Sequence, residues 1–142
     1  MSQGLKITLK GGERIYINGA VLKMDRKVGI ELLNDATFLL EQHILQPEAA
    51  TTPLRQLYFM VQMMLIDPAL HAKARDMAAE TIVALKETTS NEDIRNGLND
   101  VTRSLAADRT LEALKRIRAL YPTEAACMKN DNDVEKLQKE VA

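Results

Sequence analysis

Asn18-Gly19, set between Arg14-Ile15-Tyr16-Ile17 and Ala20-Val21-Leu22-Lys23, limits the folding of this chain more than any other pair of residues. Both central residues of a type I′ turn need positive φ, which asparagine and glycine tolerate. A two-residue turn there pairs Ile17 with Ala20, Tyr16 with Val21, Ile15 with Leu22 and Arg14 with Lys23. Apolar then faces apolar on one side of the hairpin. A slip of one residue would turn every side chain over.

Upstream, Leu5, Ile7 and Leu9 alternate with Lys6, Thr8 and Lys10, the period of a half-buried strand. A two-residue Gly11-Gly12 loop would set Leu9 against Arg14 and split the faces. The loop Gly11-Gly12-Glu13 instead sets Lys10 opposite Arg14 and Leu9 opposite Ile15, and glycine-containing three-residue closures are common. This register predicts a core face of Leu5, Ile7, Leu9, Ile15, Ile17, Ala20, Leu22 and Met24. The outer face becomes Lys6, Thr8, Lys10, Arg14, Tyr16, Val21 and Lys23. Asp25-Arg26-Lys27 reads as a turn, Val28–Leu32 as a further strand with Gly29 and Glu31 outside, Asn34-Asp35 as another turn, and Thr37–Glu41 as a short strand.

After Pro47 and Ala49-Ala50-Thr51-Thr52 the period changes to that of helices. Thr52 suits an N-cap and Pro53 the first helical position, where no N–H is needed. This helix runs to about Ile66 and is apolar around nearly its whole circumference, which places it at the centre of a core or against another chain. Asp67-Pro68 opens a second helix with the stripe Leu70, Ala74, Met77, Thr81 and Leu85, and with Ala78 and Ile82 alongside. Ser90-Asn91-Glu92-Asp93 opens a third, with Ile94, Leu98, Val101 and Leu105 inward. Asp108 is a candidate cap for a fourth, with Leu111, Leu114, Ile117 and Tyr121 inward, ending before Pro122. The expected fold is α+β: N-terminal antiparallel hairpins or a small sheet, then a C-terminal bundle of four to five helices. A chain of 142 residues suits one domain. It is β-rich over 1–46 and helical over 52–121, with a frayed helix or tail over 122–142.

The chemistry of catalysis is not proposed by any motif. His43, His71 and Cys127 are scattered, without metal-ligand spacing, and the glycines sit in hairpin turns rather than at a strand-to-helix phosphate loop. No enzyme activity, metal or cofactor is expected. One cysteine excludes an internal disulfide and fits a reducing compartment. With no apolar run of membrane-spanning length and no signal-peptide core at the start, a cytoplasmic protein without membrane contact is expected.

Net charge is −1, but residues 1–34 carry +3 and the remainder −4. Lys6, Lys10, Arg14 and Lys23 share the outer hairpin face with Tyr16, and Arg26 and Lys27 extend it at the next turn. Cations neutralise phosphates and release counterions, and an aromatic on a sheet stacks an unpaired base. These seven residues form the candidate RNA-binding site. The same pattern also reads as a solvated face with Tyr16 as a cross-strand filler. A second basic cluster, Arg109, Lys115, Arg116 and Arg118, lies on the helix 109–120.

The segments Gly12–Leu22, Asp25-Arg26-Lys27-Val28, Glu31-Leu32-Leu33-Asn34-Asp35, Thr37-Phe38-Leu39-Leu40-Glu41, Ala50–Phe59 and Ala113–Tyr121 closely resemble the FlbT family of flagellin regulators. The resemblance implies a small cytoplasmic post-transcriptional regulator that associates with the 5′ untranslated region of flagellin mRNA and represses its translation or promotes its degradation. It also implies a small flagellar partner, FlaF. It supplies no RNA-contact residues, so the site rests on hairpin geometry. A shorter likeness links Gly12-Glu13-Arg14-Ile15-Tyr16-Ile17 to the small β-stranded carbon storage regulators, which also bind mRNA leaders. The competing reading is a protein-interaction adaptor that binds flagellin, FlaF or a second copy of itself through the apolar helix 53–66 and affects the message indirectly.

Overall fold

The computed structural model describes residues 4–34 and 36–130. Asp35, half of one expected turn, and residues 131–142 of the expected tail lie outside them. Five strands come first: β1 (Leu5–Leu9), β2 (Arg14–Ile17), β3 (Ala20–Lys23), β4 (Val28–Leu32) and β5 (Phe38–Leu40). Helices α1 (Pro53–Ile66), α2 (His71–Thr88), α3 (Glu92–Ala106) and α4 (Thr110–Ala119) follow, and a further helical run, α5, covers 121–130. The α+β expectation holds.

The Asn18-Gly19 turn adopts φ of 46° and 92°, and β2 pairs with β3 in the register its two-residue spacing requires, from Ile17↔Ala20 to Arg14↔Lys23. The first hairpin does not form. Gly11-Gly12 does make a turn, closed by the Glu13 N–H donating to the Lys10 carbonyl at 3.1 Å. Beyond it β1 leaves to pair with β4, and β2 takes β5 as its second neighbour. Two sheets result, β1-β4 and β3-β2-β5. Electrostatics favours this exchange. Pairing β1 with β2 would set Lys10 against Arg14, which already faces Lys23, whereas β4 sets Glu31 opposite Lys6.

The expected faces fail at the centre of β2. Ile15 is fully buried, as expected of the core face, but Tyr16 on the other face is only 5% exposed. Tyr16 and its β5 partner Leu39 belong to the helical core, while Leu9 and Ile15 are buried apart from it. The helices therefore cover the face read as outer, and Leu5, Ala20 and Leu22 of the expected core face are exposed.

α1 is the axis of the helical layer. Leu54, Leu57, Tyr58, Val61, Gln62 and Met64 are buried, and Met60, Met63 and Leu65 pack against the same core. Its apolar circumference is thus explained within the fold. α2 turns Ala74, Ala78 and Ile82 inward, a stripe rotated from the expected one, and leaves Leu70 and Met77 exposed. Small residues there let α2 lie close to α1. α3 is capped by Asn91, whose side chain accepts from the Ile94 N–H at 3.0 Å. Asp108 does not cap α4: it sits at φ 61° in the connecting turn and α4 begins without a side-chain cap. The expected tail is ordered structure as far as it is described, since Glu124 in α5 is buried and accepts from the Leu54 N–H at 2.8 Å. Among the described residues, no helix is long and apolar enough to cross a membrane.

Two polar hooks fasten α1 to β2 and to the segment that follows β5. Gln62 accepts from the Leu45 N–H at 2.7 Å and donates to the Leu45 carbonyl at 2.9 Å, acting as a one-residue strand partner. The Tyr16 hydroxyl donates to the Leu65 carbonyl at 2.6 Å. Gln62→Leu leaves both Leu45 backbone groups unpaired and should lower unfolding stability by about 2–3 kcal/mol in urea titration. Tyr16→Phe should cost about 1 kcal/mol and Tyr16→Ala about 3–5 kcal/mol. A loss below about 0.5 kcal/mol for Tyr16→Ala is the signature of a surface residue and would contradict its place in the core.

Candidate nucleic-acid interface

The seven residues read as an RNA site separate into three groups. Lys10, Arg14, Lys23, Arg26 and Lys27 gather at one end of the strand region. Their meeting point is local backbone geometry. The Gly12 N–H donates to the Met24 carbonyl at 2.7 Å, and the Met24 N–H donates to the Glu13 carbonyl at 2.9 Å. These bonds continue the β2–β3 ladder past the Arg14↔Lys23 pair. A Cβ built on Gly11 would lie 3.2 Å from the Arg26 Cα, so the β1 turn nearly touches the Asp25-Arg26-Lys27 turn. Leu9 pairs with Val28, and the residues that follow and precede them are Lys10 and Lys27.

All five cations of this tip are exposed. Arg26 lies 3.7 Å from Asp25, with both side chains more than four-fifths exposed, a pair that neutralises little in water. Among the described residues Lys10, Arg14, Lys23 and Lys27 form no ion pair. Three carboxylates, Glu13, Asp25 and Glu41, lie at the tip. Glu13 Oε1 accepts from the Lys10 N–H at 3.1 Å and is engaged in shaping the turn. The Arg14 N–H donates to Glu41 Oε2 at 3.1 Å, which holds the start of β2 to the end of β5.

Lys6 is not part of the tip. It stands across from Glu31 on β1, about 13 Å along the strand from Lys10. Tyr16 is excluded altogether, because its ring is buried under α1 and its hydroxyl is bonded to Leu65. The sequence pattern missed this because tyrosine suits an exposed sheet face and a buried one equally, provided its hydroxyl finds an acceptor.

The second basic cluster is split by ion pairing. Arg116 lies 3.1 Å from Glu112 and 3.7 Å from Asp100, and Arg109 lies 3.7 Å from Glu112. Arg118 turns to the opposite flank. Its Nη1 donates to the Tyr58 hydroxyl at 2.8 Å, and that hydroxyl donates to the His43 carbonyl at 2.5 Å. Burial, and secondarily the Arg118 charge, hold the His43 imidazole below its ordinary pKa. Burial pushes the Tyr58 and Tyr121 phenols up, against the opposing pull of Arg118 on both. The arrangement presents fixed positive charge and hydrogen-bond donors. Among the described residues no cluster of three or more His, Cys, Asp or Glu side chains is positioned to hold a metal ion.

The family model described as "Flagellar protein FlbT" matches residues 5–128. A Brucella anthropi protein named "Probable flagellum biosynthesis repressor protein FlbT" is 54% identical over 124 residues, which is 87% of this chain and 82% of the relative. A Brucella ovis protein of the same name matches with the same identity and coverage. One from Allorhizobium ampelinum, again of that name, is 47% identical over 146 residues, spanning 100% of this chain and 98% of its own. No solved structure matches the chain. The segments that carried the resemblance, from the β2–β3 hairpin through the first turns of α1 to α4, lie within the matched range, and the chain belongs to the FlbT family of flagellar proteins.

Proposed function

We propose that this protein represses flagellum biosynthesis by binding the 5′ untranslated leader of flagellin mRNA through the strand tip, so that translation is reduced or the message is exposed to nucleases. The names of the relatives support the repressor role. The observation that carries the RNA reading is the convergence of Lys10, Arg14, Lys23, Arg26 and Lys27, four of them free of ion pairs among the described residues, with Lys10, Arg26 and Lys27 beside or in turns and Arg14 and Lys23 at the paired ends of β2 and β3. Phosphate groups displace counterions from such a surface, and exposed turns on a packed scaffold are where binding residues concentrate. The tip supplies backbone affinity. It holds no aromatic side chain, so any base contact there falls to the guanidinium planes and donors of Arg14 and Arg26.

The adaptor reading depended on an exposed apolar stripe along α1. Six of the fourteen α1 residues are buried and its other large apolar residues are half-buried, so α1 gives that reading no fully exposed apolar stripe.

Purified protein titrated with labelled flagellin leader RNA at several salt concentrations tests the proposal. The double substitution Arg14→Ala/Lys23→Ala should weaken binding and reduce the salt slope by about 1.4, for two single-strand phosphate contacts. Folding stability should stay within about 0.5 kcal/mol of the parent, because both side chains are exposed. Lys6→Ala should leave affinity unchanged. Unaltered affinity and slope in the double variant, or binding seen only when a protein partner is added, would refute the tip as the RNA site.

A further inference from the structure

β3 is the outer strand of the sheet β3-β2-β5, and its pairing fixes which backbone groups lie on the free edge. Ile17↔Ala20 closes a two-residue turn, and the residues that close such a turn exchange backbone hydrogen bonds, as do alternate pairs beyond them. Ile15↔Leu22 is therefore a bonded pair, and the N–H and C=O groups of Val21 and Lys23 point away from β2. Two bonds on the far side of β2 agree with this parity. The Arg14 N–H meets Glu41 and the Asn18 N–H meets the Thr37 carbonyl, both toward β5. Among the described residues the four outward groups of Val21 and Lys23 have no hydrogen-bond partner.

The side chains of this edge are uncovered on both faces. Val21, beside Lys23 on the face that carries Tyr16, is 66% exposed, and Leu22 on the other face is 44% exposed. An edge with apolar side chains and free backbone groups is a template for another strand. RNA does not match it, since outward carbonyls alternate with the N–H groups and would face phosphate oxygens. A second copy of β3 does not match it either. Pairing Val21 with Lys23 of the second copy uses all four groups of each edge, but it sets the two Lys23 side chains on diagonal positions about 7–8 Å apart. The register centred on Val21 puts Lys23 opposite Gly19, a turn residue at φ 92°, and loses half of the bonds.

We propose that the β3 edge is a strand-addition site for an extended segment of another protein that reads acidic–apolar–apolar. The segment pairs antiparallel, so that Val21 and Lys23 each exchange both backbone bonds with one of its residues. Its carboxylate lies opposite Lys23 and its two apolar side chains lie opposite Leu22 and Val21. Charge complementarity commits the edge to this occupant. Lys23 and its cross-strand neighbour Arg14 form no ion pair among the described residues, so a facing carboxylate meets two cations on that face while the apolar pair covers the exposed Val21 and Leu22. The inference goes beyond the RNA-binding reading and does not depend on it.

The test titrates the full chain with a fluorescent octapeptide carrying Glu-Ile-Val at its centre, with a Lys-Ile-Val analogue, and with a copy N-methylated at the glutamate and the valine. The parent should bind Glu-Ile-Val saturably and about tenfold more tightly than either analogue, and the Val21 and Lys23 amides should gain protection from hydrogen exchange. Val21→Pro removes one outward N–H and no β2–β3 bond, and proline is tolerated where the missing donor faces solvent at an edge. It should weaken peptide binding about tenfold while leader RNA affinity stays at the parent level. Lys23→Glu should reverse the preference toward Lys-Ile-Val. If Val21→Pro fails to fold, the N-methylated peptide and Lys23→Glu decide the matter. A parent protein that binds the peptide but no leader RNA keeps this proposal and ends the tip reading. No saturable binding of Glu-Ile-Val, equal binding of the acidic and basic peptides, or an N-methylated copy that binds undiminished would overturn the proposal. So would protection of these amides by leader RNA alone, or a dimer in sedimentation equilibrium that Val21→Pro dissociates.

Discussion

A helix buried on nearly every side must satisfy the free N–H groups of its first turn and the free carbonyls of its last without water. α1 does so with residues from both halves of the chain. At its N-terminus Glu124 takes the Leu54 N–H and Thr52 takes the Arg55 N–H. At its C-terminus Tyr16 donates to the Leu65 carbonyl, a His71 ring nitrogen lies 3.2 Å from the Met64 carbonyl, and the Asp67 N–H bonds to Met63. Between the ends, Tyr58 and Gln62 satisfy the connecting backbone at His43 and Leu45. An unpaired buried backbone group is costly. The strands, the linker and α5 are therefore tied to one helix by polar contacts inside an apolar core.

This arrangement also accounts for where the charge goes. β2 is anchored through Tyr16, two residues from Arg14, so the basic tip projects from a strand whose centre is locked in the core. Among the described residues Lys10, Arg14, Lys23 and Lys27 of the tip form no ion pair, and Arg26 meets only its neighbour Asp25. On α4 the balance differs: Arg109 and Arg116 stabilise the helix surface with Glu112 and Asp100, while Arg118 reaches across to Tyr58. Cations equivalent by sequence spacing thus divide into those neutralised locally and those that form no ion pair among the described residues.

What was legible follows the range of the interactions involved. The Asn18-Gly19 hairpin, its register, the Thr52-Pro53 start and Ile66 end of α1, and the start of α3 within Ser90–Asp93 all depend on residues within a few positions of one another. Each could be read from spacing and residue type. The exchange of β1 from β2 to β4 could not, because both partners were acceptable apolar strands and spacing alone does not choose between them. Tyr16 was misplaced for a related reason. Period-two alternation tells which residues share a face of a strand and says nothing about what covers it.

By itself, the sequence determined the order and type of the elements, the parity of side chains along each strand and the clustering of basic residues around two early turns, since these follow from backbone sterics and local periodicity. The tertiary structure alone decided which sheet face the helices cover and that Glu124 and Tyr16 close the two ends of α1. Those outcomes come from burying groups 49 to 70 residues apart, where the cost of an unmet hydrogen bond, not local propensity, selects the partner.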